Sequence, residues 1–179
     1  MYKNREINLI VASTPSGGIG YQNKLPWGNI PEDMWWFRNK TSNNIVIMGR
    51  KTAENIGSFL PNRHSVIITS TFPEEIIKNS DILNNGVCYS VYKNFEESLN
   101  NLPVYNNAKI FIIGGAQLYK TAMEMDIVDT IYLTLMDWNY QSDKYFSFDF
   151  LTFPKWIPQM IEKTDKCEFW TIKRRILGD

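Results

Sequence analysis

Continuous apolar runs, rather than strictly alternating ones, recur along the chain. Glu6 to Thr14, Val46 to Met48, Ser65 to Thr69, Gly86 to Val91, Lys109 to Ile113 and Thr130 to Leu135 each read as a strand covered on both faces. Between them lie Pro31 to Lys40, Lys51 to Ile56, Asn94 to Leu99 and Gln117 to Met125, stretches of helical length with charges on one side. This largely alternating order predicts an α/β domain with parallel strands. The last third departs from it. Tyr140 to Phe153 is rich in aromatics and poor in helix formers, and Cys167 to Ile176 predicts a strand of a terminal antiparallel hairpin, which makes the sheet mixed. Neither an internal repeat nor a long linker marks a second domain, so residues 1–179 read as one.

Composition narrows the function. The 179 residues are 44% hydrophobic and include six Trp, nine Tyr and ten Phe, enough for one substantial core. Nineteen basic and nineteen acidic side chains cancel, so no global field attracts nucleic acid or an anionic membrane, and any phosphate recognition has to be local. Cys88, Cys167 and the single His64 are too few soft ligands for zinc, and no metal is expected. No apolar run approaches the roughly 18 residues of a membrane span, and no signal-peptide pattern opens the chain, so a cytoplasmic location is expected.

Two strand-to-helix turns carry the clearest chemistry. In Asn44 to Thr52 an apolar strand ends in Gly49, followed at once by Arg50, Lys51 and Thr52. In Lys109 to Gln117 another ends in Gly114 and Gly115. A glycine lets backbone N–H groups approach a ligand, a helix N-terminus adds partial positive charge, and Arg50 and Lys51 can neutralise phosphate oxygens. The plain alternative is a solvated cationic helix start beside a tight turn. Known fingerprints fail: Gly17-Gly18-Ile19-Gly20 has Asn23 in place of the third dinucleotide-fold glycine, and Asn44 stands in place of the first glycine of a triphosphate loop.

Asp33 follows the rigid Leu25-Pro26-Trp27-Gly28-Asn29-Ile30-Pro31 approach and lies near Met34, Trp36 and Phe37. It can face an apolar cleft and bond an amidine-like heterocycle bidentately, or simply stabilise a helix start together with Glu32. Arg63, in Leu60-Pro61-Asn62-Arg63, can clamp a carboxylate or sit on a surface turn. His64, with no visible acid or nucleophile partner, is read as structural.

Taken in order and spacing, Leu25-Pro26-Trp27, Asp33 with Phe37, Val46 to Thr52, Leu60 to Arg63, and Ile112 to Gly115 with Tyr119 resemble the dihydrofolate reductase family, from about Ile7 to Ile176. The resemblance implies that family's fold, a central mixed, mostly parallel eight-stranded sheet flanked by helices. It also implies NADPH-dependent reduction of 7,8-dihydrofolate to tetrahydrofolate in a monomer, by hydride transfer to pterin C6 with protonation at N5. Asp33 then matches the acid that pairs with pterin N3 and the 2-amino group, and Arg63 the arginine on the glutamate α-carboxylate. Ile10, Ala12, Met34, Phe37, Ile56, Leu60, Ile113, Tyr119 and Thr134 match the substrate pocket, with Thr134 expected to bond Asp33. Ala12, Ile19, Gly49, Arg50, Lys51, Thr52, Thr69, Ser70, Ile113, Gly114, Gly115, Ala116, Gln117 and Tyr119 match cofactor positions. Asp33, Leu25 and Trp27 are the residues expected to take part in catalysis, with the Gly17 to Trp27 loop closing over the reactants and Leu25 controlling water.

Departures from the family pattern are Gln117, where some relatives carry a base near the cofactor 2′-phosphate; Gly28, which looks inserted; and the bulky Trp35-Trp36 pair, expected to bear on the pocket mouth. In addition, Ser147 stands where proline commonly follows Asp143-Lys144-Tyr145-Phe146. Two rivals share the fold: the pyrimidine reductase of riboflavin biosynthesis, which lacks the Leu-Pro-Trp, acidic-helix and Leu-Pro-x-Arg combination, and a non-catalytic binding or structural protein that keeps folate and NADPH contacts.

Overall fold

A computed structural model describes residues 2–71 and 88–175. Eight strands form one sheet in the spatial order β5-β4-β3-β6-β1-β7-β10-β9. They are β1 (Ile7–Ser13), β3 (Ile45–Gly49), β4 (His64–Ile68), β5 (Cys88–Tyr92), β6 (Ile110–Gly114), β7 (Thr130–Met136), β9 (Trp156–Lys163) and β10 (Cys167–Arg174). Pairing is parallel from β5 to β7, while β10 runs antiparallel to both β7 and β9. The mixed, mostly parallel eight-stranded sheet expected from the sequence is therefore present. Gly86 and Val87 of the expected fourth strand, and Ile176 of the last, lie outside the described residues.

The unbroken apolar runs follow from covering both faces. Ile7, Leu9, Val11, Ile45, Ile47, Ile110 and Ile112 enter one core with Leu118, Tyr119 and Ala122. The intervening Ile10, Val46, Met48, Phe111 and Ile113 enter the other with Trp36, Ala53 and Phe59. The period-2 alternation thus divides residues between two apolar layers rather than between core and water.

The helices are α1 (Pro31–Thr41), α2 (Arg50–Ile56), α3 (Phe95–Asn100) and α4 (Ala116–Glu124). Pro31 suits the first position of α1, where its missing N–H breaks no helical bond. The expected one-sided pattern fails in α1: Asp33, Trp36 and Thr41 are buried, while the apolar Met34 and Trp35 are 43% and 59% exposed. In α3, Asn94 caps the helix by accepting from the Glu97 N–H at 2.8 Å.

A second, two-stranded sheet joins β2 (Gly18–Gly20) to β8 (Lys144–Tyr145). It ties the loop after β1 to the aromatic segment. The Phe146 N–H donates to the Gly17 carbonyl and the Asp143 N–H to that of Gly20, both at 2.8 Å. The Asp143 carboxylate accepts from the Gln22 N–H at 2.9 Å.

Candidate active site

The carboxyl ends of parallel β1, β3, β6 and β7 bring Ala12, Thr134 and the two glycine turns to one end of the sheet, where open α/β sheets form their binding crevice, while Arg63 precedes β4 at its amino end. Ala12 pairs with Thr134 across β1 and β7, and Met48 with Gly114 across β3 and β6. The two glycine turns abut: a Cβ added to Gly49 would lie 4.0 Å from the Gly114 carbonyl oxygen and the Gly115 nitrogen. The peptide between Gly114 and Gly115 is cis.

Gly49 and Gly115 are the N-caps of α2 and α4, and neither helix start receives a side-chain cap. Their first-turn N–H groups are therefore available to an anion. Gly114 has φ +130°, a conformation only glycine adopts readily, and a Cβ there would stand 3.4 Å from the Tyr119 hydroxyl oxygen and 3.5 Å from Thr52 Oγ1. The two turns thus form one backbone-lined cradle.

Beside it, Arg50 is engaged within its own helix, donating to Glu54 Oε1 at 2.6 Å. Lys51 and Ser70 are exposed and Thr52 half-buried. Thr69 is buried, its hydroxyl donating to the Thr71 carbonyl at 2.7 Å. Gln117 is exposed at the start of α4, with its amide 3.5 Å from Thr121 Oγ1, and Ile19 is half-buried in β2.

Asp33, in the first turn of α1, is only 8% exposed. Burial pushes its carboxyl above the ordinary value, and a hydrogen bond from the buried Thr134 hydroxyl pulls in the opposite direction. An acidic first turn explains a surface carboxylate; it does not require one sunk among apolar side chains. The fully buried Tyr119 donates its hydroxyl to the Ile10 carbonyl at 2.7 Å. Its own ionisation is driven far upward by burial and then by the Asp33 charge.

Arg63 is 7% exposed and is not a surface turn arginine. Nε donates to Thr41 Oγ1 at 2.9 Å and Nη1 to the Pro61 carbonyl at 2.7 Å, while Nη2 lies 3.4 Å from Ser42 Oγ. The guanidinium carbon stands 5.8 Å from the centre of the Phe37 ring. Burial, then the neighbouring Arg38 charge, lowers its pKa. Among the described residues it has no carboxylate partner.

Asp33 and Thr41 stand at opposite ends of α1. Eight residues of helix separate them by about 12 Å, so one rigid element holds a buried acid at one end and orients a buried cation at the other. Of the other expected pocket residues, Ile10 and Ile113 are buried, and Ala12, Phe37, Ile56 and Leu60 are half-buried. Met34 and Leu25 stand out toward solvent, at 43% and 45% exposure. Trp27 packs edge-on against Tyr140 with centroids 6.2 Å apart, and its buried Nε1 has no acceptor among the described residues.

Some expectations are revised. Trp36 does not bear on a pocket mouth: it is 3% exposed and stacks on Phe169 at 4.8 Å, in the core. Gly28, at φ +74°, has nothing within 4 Å of an added Cβ and lies in an open turn. His64 is bonded on both ring nitrogens, to Tyr105 and Ser90, in keeping with its structural reading. Sequence reasoning missed Thr41 as the residue that aims Arg63, because its partner lies 22 positions away.

The carboxyl ends of the strands thus carry the two glycine turns, and α1 connects a buried acid, Asp33, to a buried arginine just before the amino end of β4. Residues 6–174 match the family described as Dihydrofolate reductase. The chain is 33% identical over 168 residues to dihydrofolate reductase type 9 of Escherichia coli, covering 91% of this chain and 90% of that one. It is 35% identical over 162 residues to the dihydrofolate reductase of Buchnera aphidicola subsp. Acyrthosiphon pisum, covering 89% of each. With that of Haemophilus influenzae it shares 34% over 139 residues, covering 78% and 77%. The chain belongs to the dihydrofolate reductase family.

Proposed function

We infer that this chain reduces 7,8-dihydrofolate to tetrahydrofolate with NADPH as the electron donor. The reading rests most on α1, which spaces Asp33 and the Arg63 anchor Thr41 by about 12 Å. Those poles suit a substrate with an amidine-like N–C–N edge at one end and a carboxylate at the other.

The residues present fit a dinucleotide phosphate. Gly49, Gly114 and Gly115 leave room where side chains would fill the cradle, and the first turns of α2 and α4, after Gly49 and Gly115, receive no side-chain cap. Arg50, Lys51, Thr52, Thr69, Ser70 and Gln117 would hold the remaining phosphate and ribose oxygens, with Ala12, Ile19, Ile113, Ala116 and Tyr119 around them. NADPH, when bound, supplies the hydride.

The chain's own residues orient the substrate and manage its proton. Asp33 accepts hydrogen bonds from the pterin N3–H and 2-amino group as a bidentate acceptor, with Thr134 fixing the carboxylate plane. A negative partner there favours positive charge on the ring and so raises the affinity of N5 for a proton. Arg63 grips the far carboxylate with its fork, already aimed by Thr41 and backed by Phe37. Ile10, Ile56, Leu60 and Ile113 exclude water between the poles, which strengthens each charge contact. Leu25 and Trp27, on the loop anchored through Gly17, Gly20 and Gln22, cover the reacting end and admit the proton-donating water.

The enzyme is further proposed to act as a cytoplasmic, single-domain monomer that needs no nucleic acid or membrane. No described helix is long and apolar enough to cross a membrane. The test is steady-state oxidation of NADPH by purified protein with dihydrofolate. Dihydrofolate-dependent turnover, with a lower KM for NADPH than for NADH, is the expected result; NADPH binding without turnover would favour the non-catalytic alternative.

A further inference from the structure

β9 forms one end of the eight-stranded sheet, and among the described residues only β10 pairs with it. All of its residues but Trp156 are exposed, and the apolar Ile157, Met160 and Ile161 are 46%, 48% and 49% exposed. An open edge with apolar side chains is a template on which another strand can add. Which backbone groups it offers follows from the ladder, because antiparallel partners alternate between pairs that exchange hydrogen bonds and pairs that do not. The Arg175 N–H donates to the Lys155 carbonyl at 2.7 Å, whereas the Arg174 N–H turns the other way, to the Asp129 carbonyl beside β7 at 2.9 Å. By that alternation Ile157, opposite Lys173, and Gln159, opposite Thr171, bond to β10. Trp156, Pro158 and Met160, opposite Arg174, Ile172 and Trp170, turn their backbone groups to the open edge. The Trp156 N–H is already used, donating to the Phe153 carbonyl at 3.3 Å. Pro158 has no N–H. Met160 offers one, but the register shifts between Phe169 and Trp170, so a bulge bends the strand directly after it.

We propose that Pro158 is the residue that keeps two copies of this chain from pairing through β9, because it withholds the donor that antiparallel pairing of β9 with β9 requires. A two-fold axis at Gln159 would set Pro158 of each copy opposite Met160 of the other, with the backbone groups of both on the shared edge. With proline there, only the Met160 N–H can bond across, and the ring occupies the space in which the missing bond would form. A strand-forming residue that carries an N–H completes the ladder and lets the exposed Ile157 and Met160 side chains be covered. The edge is thus closed by one position rather than by charge or by a covering element.

Pro158→Thr supplies the donor on a β-branched residue at an exposed position. Sedimentation velocity across a concentration series should show self-association at least about tenfold tighter than wild type, what one added hydrogen bond from each copy contributes. Amide exchange at Met160 should slow as concentration rises in the variant and not in wild type. Adding Met160→Lys, which places like charges on the edge, should return the variant to the monomer. Turnover per chain should stay that of wild type throughout. If the threonine variant fails to fold, Pro158→Ala restores the same N–H with a smaller side chain, and the same readouts apply. A folded variant as monomeric as wild type, a wild type that already associates with Met160 protected, or association that leaves Met160 exchanging freely overturns the proposal. Mass and exchange are read without turnover, so that outcome is distinct from failure of the reductase reading.

Discussion

Thr41 Oγ1 accepts from Arg63 Nε at 2.9 Å while donating its own proton to the Phe37 carbonyl at 2.8 Å. With its proton committed to the helix, the hydroxyl can only accept from the guanidinium, so the last turn of α1 fixes the direction of the Arg63 fork. Arg63→Lys keeps the charge and loses the fork. It should raise KM for dihydrofolate about ten- to hundredfold, the range of a charge-assisted hydrogen bond, with KM for NADPH unchanged. Thr41→Val should produce the same selective rise at about three- to tenfold. Equal effects on both ligands would mean that Arg63 does not meet the substrate carboxylate.

Asp33 gives a stability prediction with a definite sign. Its folded-state pKa lies above the ordinary 3.8 because burial penalises the charge. Below 3.8 the group is protonated in both states and costs nothing; as pH rises through the folded value, the native state has to carry a buried charge and loses stability. Asp33→Asn removes that cost. The variant should melt above wild type near neutral pH, and the difference should vanish as pH falls below 3.8. Calorimetry across that range decides it; a variant less stable at neutral pH contradicts the account.

The cradle predicts a separation of folding from binding. Gly49 has φ −76°, and an added Cβ would find its nearest neighbours at 4.0 Å. Gly49→Ala should therefore change stability by no more than ~0.5 kcal/mol. The methyl would nevertheless occupy the space in which the α2 and α4 N–H groups are proposed to meet phosphate. NADPH dissociation, followed by fluorescence, should weaken by more than about tenfold. Normal NADPH affinity in the folded variant would show that the two turns do not share one ligand.

Arg50 is held by Glu54 at 2.6 Å, both side chains being substantially exposed. An exposed pair of this kind is worth little. Glu54→Ala should free Arg50 and tighten NADPH about twofold at low salt, with the gain lost as ionic strength rises. Arg50→Ala should weaken NADPH more than NADH if Arg50 meets the phosphate that distinguishes them.

Much of this was legible in the chain. β1, β3 and β6 stand within a residue or two of their apolar runs, because strands covered on both faces leave an unbroken hydrophobic signal. The glycine turns were visible for the same reason: each ends such a run. The pairing of β2 with β8 was not. Gly18–Gly20 and Lys144–Tyr145 carry no apolar pattern, and their association depends on backbone bonds across more than a hundred residues. β9 was implied only as the partner of β10, since seven of its eight residues are exposed and no hydrophobic alternation marks it. For Asp33 and Arg63, residue type left a surface reading open; burial at 8% and 7% exposure closes it. Trp36 shows the reverse error: three residues after the acid and on the same buried side of the helix, it packs into the core against Phe169 rather than at a pocket mouth.

The central claim is that the buried Asp33 carboxylate makes the site a reductase, and turnover of wild type against Asp33→Asn tests it most directly. The amide preserves size and removes the charge that is proposed to polarise the pterin. At neutral pH the variant should bind NADPH normally and lose at least about two orders of magnitude in kcat/KM with dihydrofolate, and its pH profile should lack the limb that Asp33 gives wild type above 3.8. A folded Asp33→Asn enzyme that turns over dihydrofolate like wild type, with the same pH profile, would contradict the account.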